Sequence, residues 1–275
     1  MRVAKLEQYG LLQAAGVDAR SFLHAQLTND IEGLAAGRAR YAGWCTAKGR
    51  LLATFLVIPF SDGFLLQLSR DLGPSVAKRL SMFILRSKVA LRDVTAQWQQ
   101  YGVWEGNGPS APLEVKEEQD KVAVRIDADR VLVLARSPLT PSVHEQDWTL
   151  AEVRAGRALI TQATQDQFVP QMINLERLGG VDFHKGCYPG QEIVARAQYR
   201  GEVKRRLYRV RGAALQAGQP LYTDDSAGQA SGTVVNAAGE ESLAVLPVAA
   251  AEAKSAVRPA PASDALEILS LPSSQ

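Results

Sequence analysis

Ten consecutive residues in the first quarter of the chain, Leu51 to Phe60 (LLATFLVIPF), carry no charge and are bracketed by the turn pairs Lys48-Gly49 and Asp62-Gly63. Such a run is far short of the ~20 apolar residues that cross a bilayer, so a globular body must bury it. The stretch Ala39–Val57 alternates loosely through Tyr41, Trp44 and Cys45 and reads as a β-hairpin bent at Lys48-Gly49, with Phe64–Leu68 as the next strand. Upstream, Leu6–Ala14 reads as a short strand. Asp18 stands where it can cap a helix running through Phe22, Leu23, Gln26 and Leu27. Downstream, Val76, Leu80 and Phe83 have helical spacing, and Ser87–Asp93 and Gln97–Trp104 read as strands. The first part of the chain is therefore an α+β layer, with Cys45 in its core.

At 275 residues the chain exceeds a typical single domain, so several modules sharing one body are expected. The clearest loop is GNGPSAP, Gly106–Pro112, which sets the boundary between a module at 1–105 and a second at 106–200. In the second, Lys121–Ile126 and Val131–Ala135 form a hairpin through the acidic turn Asp127–Arg130. The two aspartates of that turn are expected to be solvated; they lack a third hard ligand, and no metal site is expected. Short strands at Leu207–Val210, Gln219–Tyr222, Gly228–Val235 and Leu243–Pro247 suit a small β-barrel over 201–247. Alanine, proline and serine dominate from Val248, so 248–275 reads as a mostly flexible tail, with Leu266–Leu271 as its one further strand candidate.

The densest chemistry lies in KGCYPGQE, Lys185–Glu192. Gly186 and Gly190 open backbone conformations closed to other residues, and Pro189 fixes φ between them, so this is a shaped loop holding a thiol. Gln191–Ala197 are good helix formers, which places Cys187 just before a helix N-terminus, near Lys185, His184 and Arg196. Helix dipole and cations together predict a lowered thiol pKa. An inert cysteine in a tight turn is the plain alternative.

The stretch from Phe168 to Arg206, FVPQMINLERLGGVDFHKGCYPGQEIVARAQYRGEVKRR, closely resembles the signature of the YgfZ family, folate-binding relatives of the glycine-cleavage aminomethyltransferase. The segments AGVDARSFLHAQLTND (Ala15–Asp30) and CTAKGR (Cys45–Arg50) resemble early segments of the same family, and the resemblance spans about residues 1 to 247. It implies an α+β multi-module fold: two mixed α+β modules around a central cavity, plus the small C-terminal barrel. It also implies a tetrahydrofolate or a related folate as ligand. Cys187 would be the key thiol with Lys185 beside it, and Tyr9, Trp148, Asn174, Glu176, Gln191 and Glu192 would face the cofactor. Asn29 and Asp30 read as capping residues, with a pocket-lining role implied as the alternative. For Trp148 the alternative is a core tryptophan on a helix face. The aminomethyltransferases carry Glu-Ala-Gly where this chain has Arg154-Ala155-Gly156. An arginine has only donors and cannot replace a carboxylate acceptor. Glu152, two residues earlier, is the nearest candidate to stand in.

Three functions compete. The resemblance favours a folate-binding accessory protein that supports iron-sulfur cluster assembly or repair and so tRNA modification, with iron-sulfur proteins such as tRNA-thiomodifying enzymes as partners. The alternative is tetrahydrofolate-dependent aminomethyl transfer, for which no proton-handling set is identifiable. An RNA-binding module fits least, because a net charge of +2 is small for a nucleic-acid footprint. The basic stripe Arg196–Arg211 can nonetheless hold phosphates, RNA or the acidic chain of a polyglutamyl folate, or be a solvated strand face. Two cysteines are too few for a disulfide framework or for the four thiolates of a stably held cluster. With no secretory signal or membrane span, a cytoplasmic monomer is expected.

Overall fold

The computed structural model describes residues 1–224 and 228–272. From the N-terminus, β1 (Arg2–Lys5) and β2 (Tyr9–Ala15) precede helix α1 (Ala19–Gln26). Then come β3 (Arg40–Cys45), β4 (Leu51–Phe60), β5 (Gly63–Ser69), α2 (Gly73–Ser81), β6 (Ala90–Asp93) and β7 (Gln99–Trp104). The middle of the chain contributes β8 (Val115–Glu118), β9 (Lys121–Arg125), β10 (Arg130–Ala135), α3 (Glu145–Arg154) and α4 (Gln191–Tyr199). The last part contains β11 (Arg205–Arg211), β12 (Pro220–Thr223), β13 (Ala230–Ala238), β14 (Glu241–Pro247), α5 (Val248–Glu252), β15 (Val257–Arg258) and β16 (Glu267–Leu269).

The apolar run is β4, and its lack of alternation has a direct cause. It lies inside an antiparallel sheet of order β3-β4-β5-β2-β6 that is covered on both faces. Phe55 and Val57 face a core shared with α1 and α2, whereas Leu56 and Ile58 face a second sheet. Each of these side chains, fully buried, is worth roughly 1.5–3 kcal/mol. The β3–β4 bend falls at Lys48-Gly49 with Gly49 at φ +69°, as the sequence predicts. Asp18 does stand at the start of α1, but its carboxylate accepts from the Lys88 backbone N–H at 2.6 Å and makes no capping bond to the helix.

The second sheet has the order β1-β7-β10-β9-β8 and departs from the expected modules. Strand β7 pairs with β1 on one side and β10 on the other, so residues before and after the Gly106–Pro112 loop form one sheet. Leu132 and Leu134 face the first sheet, together with Val122 and Val124.

The third sheet runs β15-β12-β13-β14-β11-β16. In β14, Leu243 and Val245 join the main core while Ala244 and Leu246 point into the sheet's own interior, the two-residue alternation of a strand with a distinct core on each side. A bridge between Val257 and Leu266, with Leu266 N–H donating to the Val257 carbonyl at 2.7 Å, joins the two edges and closes the sheet. The expected flexible tail is therefore corrected over 248–265, where α5 and β15 are formed with Ala250 and Val257 buried, while β16 falls within the strand candidate Leu266–Leu271. Residues 273–275 lie outside the described residues.

Candidate functional site: a charged cavity and a cysteine layer

A cavity of about 550 Å3 lies where the β9–β10 hairpin, the C-terminal end of α3 and the segment Asn174–Leu178 meet. That volume is in the range of small-molecule sites. Tyr41, Trp104, Ile126 and Leu178 give it apolar and aromatic walls, Asn174, Arg154 and Arg177 give it polar ones, and Leu271 and Pro272 contribute from the C-terminal side. A hollow of about 50 Å3 adjoins it through Tyr41, Ile126, Arg157 and Leu178, reaching inward to Tyr9, Trp148 and Glu152. It has room for about one or two waters.

Between cavity and inner hollow runs a closed ring of charges. The Arg130 guanidinium is 2.6 Å from Asp127 and 2.7 Å from Glu152, and that of Arg157 is 2.6 Å from Asp127 and 3.1 Å from Glu152. The two arginine side chains are only 5% and 12% exposed, so each charge must find its opposite within the protein. Burial alone would raise the Asp127 pKa, but hydrogen bonds and charges from Arg130 and Arg157 outweigh it and hold the carboxyl below its usual range. Burial would likewise lower Arg157, yet Glu152, Tyr41 and Asp127 push it up, so it stays charged. Burial pushes the Tyr41 hydroxyl up to about 12 and raises that of Tyr9 as well. Asp127, read from sequence as a solvated turn residue, is thus one of the two acids of a largely buried four-member network.

The implied cofactor residues divide. Tyr9 and Trp148 line the inner hollow, and Asn174 lines the main cavity. Trp148 is 2% exposed, lies edge-on to Trp104 at 5.5 Å and sits under Arg130 at 4.8 Å. Gly102 makes room for it, because a Cβ there would stand 2.1 Å from the indole. Asn174, left-handed at φ +56°, donates to the Leu207 carbonyl at 3.1 Å. Glu176 lines none of these spaces; it pairs with Arg206 and ties its segment to β11. Gln191 and Glu192 begin α4 and do not line them either. Arg154 lines the cavity and pairs with Glu241 at 2.7 Å, while Glu152, the candidate substitute, is held in the ring. Sequence reasoning missed Tyr41, Trp104, Arg130, Arg157 and Arg177. An arginine closing the turn after Asp127 and another following Gly156 were the available signals, and neither differs locally from surface charge.

Cys187 belongs to a different region, where the three segments that carried the resemblance come together. Lys185 Nζ donates to the Leu27 carbonyl at 2.7 Å and to that of His24, closing the C-terminal end of α1, and lies 4.9 Å over the Tyr188 ring. Burial lowers its pKa to about 8, against the opposing pull of Asp30, Asp182 and Glu32. Thr28 Oγ1 donates to the Gly180 carbonyl at 2.7 Å, and Asn29 Nδ2 to that of Gly179 at 2.6 Å. Asp30 is spent locally, accepting from Gly33 N–H at 3.0 Å. Gly190 adopts φ +81° and lies so close to the β3–β4 bend that a Cβ would stand 2.4 Å from the Thr46 carbonyl oxygen. Tyr188 and Cys45 are buried beneath, and burial pushes the Cys45 thiol up to about 12. Cys187 itself is exposed and lines neither the cavity nor its adjoining hollows.

In the basic stripe, Arg206, Arg209 and Arg211 pair with Glu176, Glu241 and Glu267. Arg200, Lys204 and Arg205 are exposed. Among the described residues no helix is long and apolar enough to cross a membrane.

No family model matches the chain. The tRNA-modifying protein YgfZ of Sodalis glossinidius is 31% identical over 252 residues, covering 82% of this chain and 75% of that protein. Its namesake from Vibrio vulnificus is 30% identical over 231 residues, covering 78% and 71%. Among solved structures, glycine cleavage system aminomethyltransferase T from Bartonella henselae superposes with a TM-score of 0.63 at 13% identity, covering 90% of this chain and 78% of that one. The fold is therefore that of the aminomethyltransferases, and with about a third of its residues shared with curated relatives over most of both lengths, the chain belongs to the YgfZ family.

Proposed function

We propose that this protein binds a folate in the main cavity and acts as an accessory to iron-sulfur cluster assembly or repair, supporting tRNA modification, with Cys187 as the working thiol. The carrying observation is the separation of the two regions: the thiol is exposed on its own layer, outside the cavity lining. A thiol so placed is available to a partner and is not posed against a cavity ligand. The relatives' name, tRNA-modifying protein, supports the direction of the reading.

The cavity fits a folate chemically. Trp104 and Tyr41 offer faces or edges to a flat ring, Asn174 and Asp129 offer polar partners, and Arg177 meets a carboxylate. When bound, the folate would supply a flat, carboxylate-bearing ligand able to carry one-carbon units; the chain's residues would bind and orient it. Aminomethyl transfer is disfavoured because the one candidate carboxylate, Glu152, is held by two arginines, and Arg154, bound to Glu241, stands where the transferases have glutamate. A cluster would be met as cargo, by one thiolate, since among the described residues no group of three or more His, Cys, Asp or Glu could hold a metal ion.

Titration with tetrahydrofolate should quench tryptophan fluorescence, chiefly through Trp104, and Trp104→Phe should remove most of that signal. A flat titration of the unaltered protein would remove the cavity from the account. In cells, Cys187→Ala should abolish support of an iron-sulfur tRNA-modifying enzyme while circular dichroism stays unchanged; full support by that variant would remove the thiol.

A further inference from the structure

A side hollow of about 260 Å3 shares Tyr41, Leu113 and Leu178 with the main cavity, so the two adjoin across these side chains. Its own walls include the loop Gly33–Ala35 and two arginines, Arg38 and Arg40, and no carboxylate is among its described lining residues. Arg40 is partly engaged, donating to the Asp30 carbonyl at 2.6 Å and standing 3.5 Å from its carboxylate. Arg38 is exposed and has no ion pair among the described residues. Glu114, whose carboxyl feels the Arg38 charge, already accepts from Ser110 and Ala111 at 2.8–2.9 Å. At the junction, Arg177 lines the main cavity next to the shared Leu178.

A hollow whose described lining carries two arginines and no carboxylate favours an anion, and its partly apolar walls strengthen the field inside it. The placement adds a second constraint: the smaller space borders the larger one at Tyr41, Leu113 and Leu178, so an extension of whatever fills the cavity is the occupant nearest to hand. We propose that the cavity ligand carries a flexible chain of carboxylates, which passes Leu178 and lies along the side hollow against Arg38 and Arg40, with Arg177 at the turn. On the folate reading above, upon which this rests, that chain is the γ-linked oligoglutamyl extension, and the protein selects polyglutamylated over monoglutamylated folate.

The test uses the full chain titrated with tetrahydropteroyl monoglutamate and with its triglutamyl form. The unaltered protein should bind the triglutamate about tenfold more tightly, the worth of one well-placed charge-assisted contact, and the ratio should shrink as salt is raised. Arg38→Ala should bring the ratio to about twofold or less, with Arg38→Lys between the two. Equal binding of both forms by the unaltered protein overturns the chain site and leaves the folate reading intact. Binding of neither form overturns both. A ratio that survives Arg38→Ala, or competition by free γ-linked triglutamate as strong as that of the intact ligand, overturns the placement in this hollow.

Discussion

Around the cavity, four charged side chains from a hairpin, a helix and the segment after it answer one another. Around Cys187 the main contacts run to backbone: Lys185 to two carbonyls, Thr28 and Asn29 to the glycines before the loop, Gly190 against Thr46. The first arrangement is electrically balanced but can be re-partnered, because a ligand with its own donors and acceptors can take over any one of the ring's bonds. The second is steric, and it fixes where the thiol stands whatever happens at the cavity. One region is held by ion pairs between side chains and the other by backbone contacts and close packing.

Removing a ring member should break the first region hardest. Arg157→Ala leaves Asp127 and Glu152 sharing one arginine; a buried charge left wholly unpaired costs about 3–5 kcal/mol, which sets the upper bound of the loss. Chemical denaturation should register that loss, and folate titration should show weakened binding, while labelling of Cys187 by a thiol reagent in the folded state stays unchanged. If thiol labelling shifts as much as binding does, the two regions are not independent.

Next in size is the converse variant. Gly190→Ala puts a β-carbon against the Thr46 carbonyl and forces a left-handed backbone on alanine, costing about 2–3 kcal/mol. It should change Cys187 labelling and leave the folate affinity in place.

The third expectation is a pH dependence. Burial holds Lys185 at about 8 in the folded chain against an ordinary 10.5. Between those values the unfolded chain binds more protons than the folded one, so this group makes stability rise with pH from about 8 to 10.5 and contributes no slope below that window. Lys185→Met should flatten the slope in denaturation midpoints measured across the window. An unchanged slope would mean that the amine is solvated and does not staple the loop to α1.

What was legible in the sequence follows the same division. The β3–β4 hairpin, the shaped loop and the helix after it were readable because glycine positions and turn pairs act over a few residues. Cys45 was readable as core from its place beside Trp44 on a strand. The joining of β1 and β7 to β10 was not, since Gly106–Pro112 has every local mark of a boundary and nothing local says that the strands on either side of it share a sheet. The charge ring was hidden for a related reason: Asp127 and Glu152 are 25 positions apart and only the fold brings them within reach of the same two arginines. For Glu176, a carboxylate inside the signature suggested a ligand contact, but burial next to Arg206 gave it a structural partner.

The bridge between Val257 and Leu266 sets an order of events during synthesis. Leu266 closes the barrel, and a few residues later Leu271 and Pro272 complete the cavity wall, with Leu271 resting on Gly156. Until residue 272 has cleared the ribosome, the cavity has an open side and the barrel an unpaired edge. Retention of a cavity ligand would thus depend on Leu271 and Pro272 being in place.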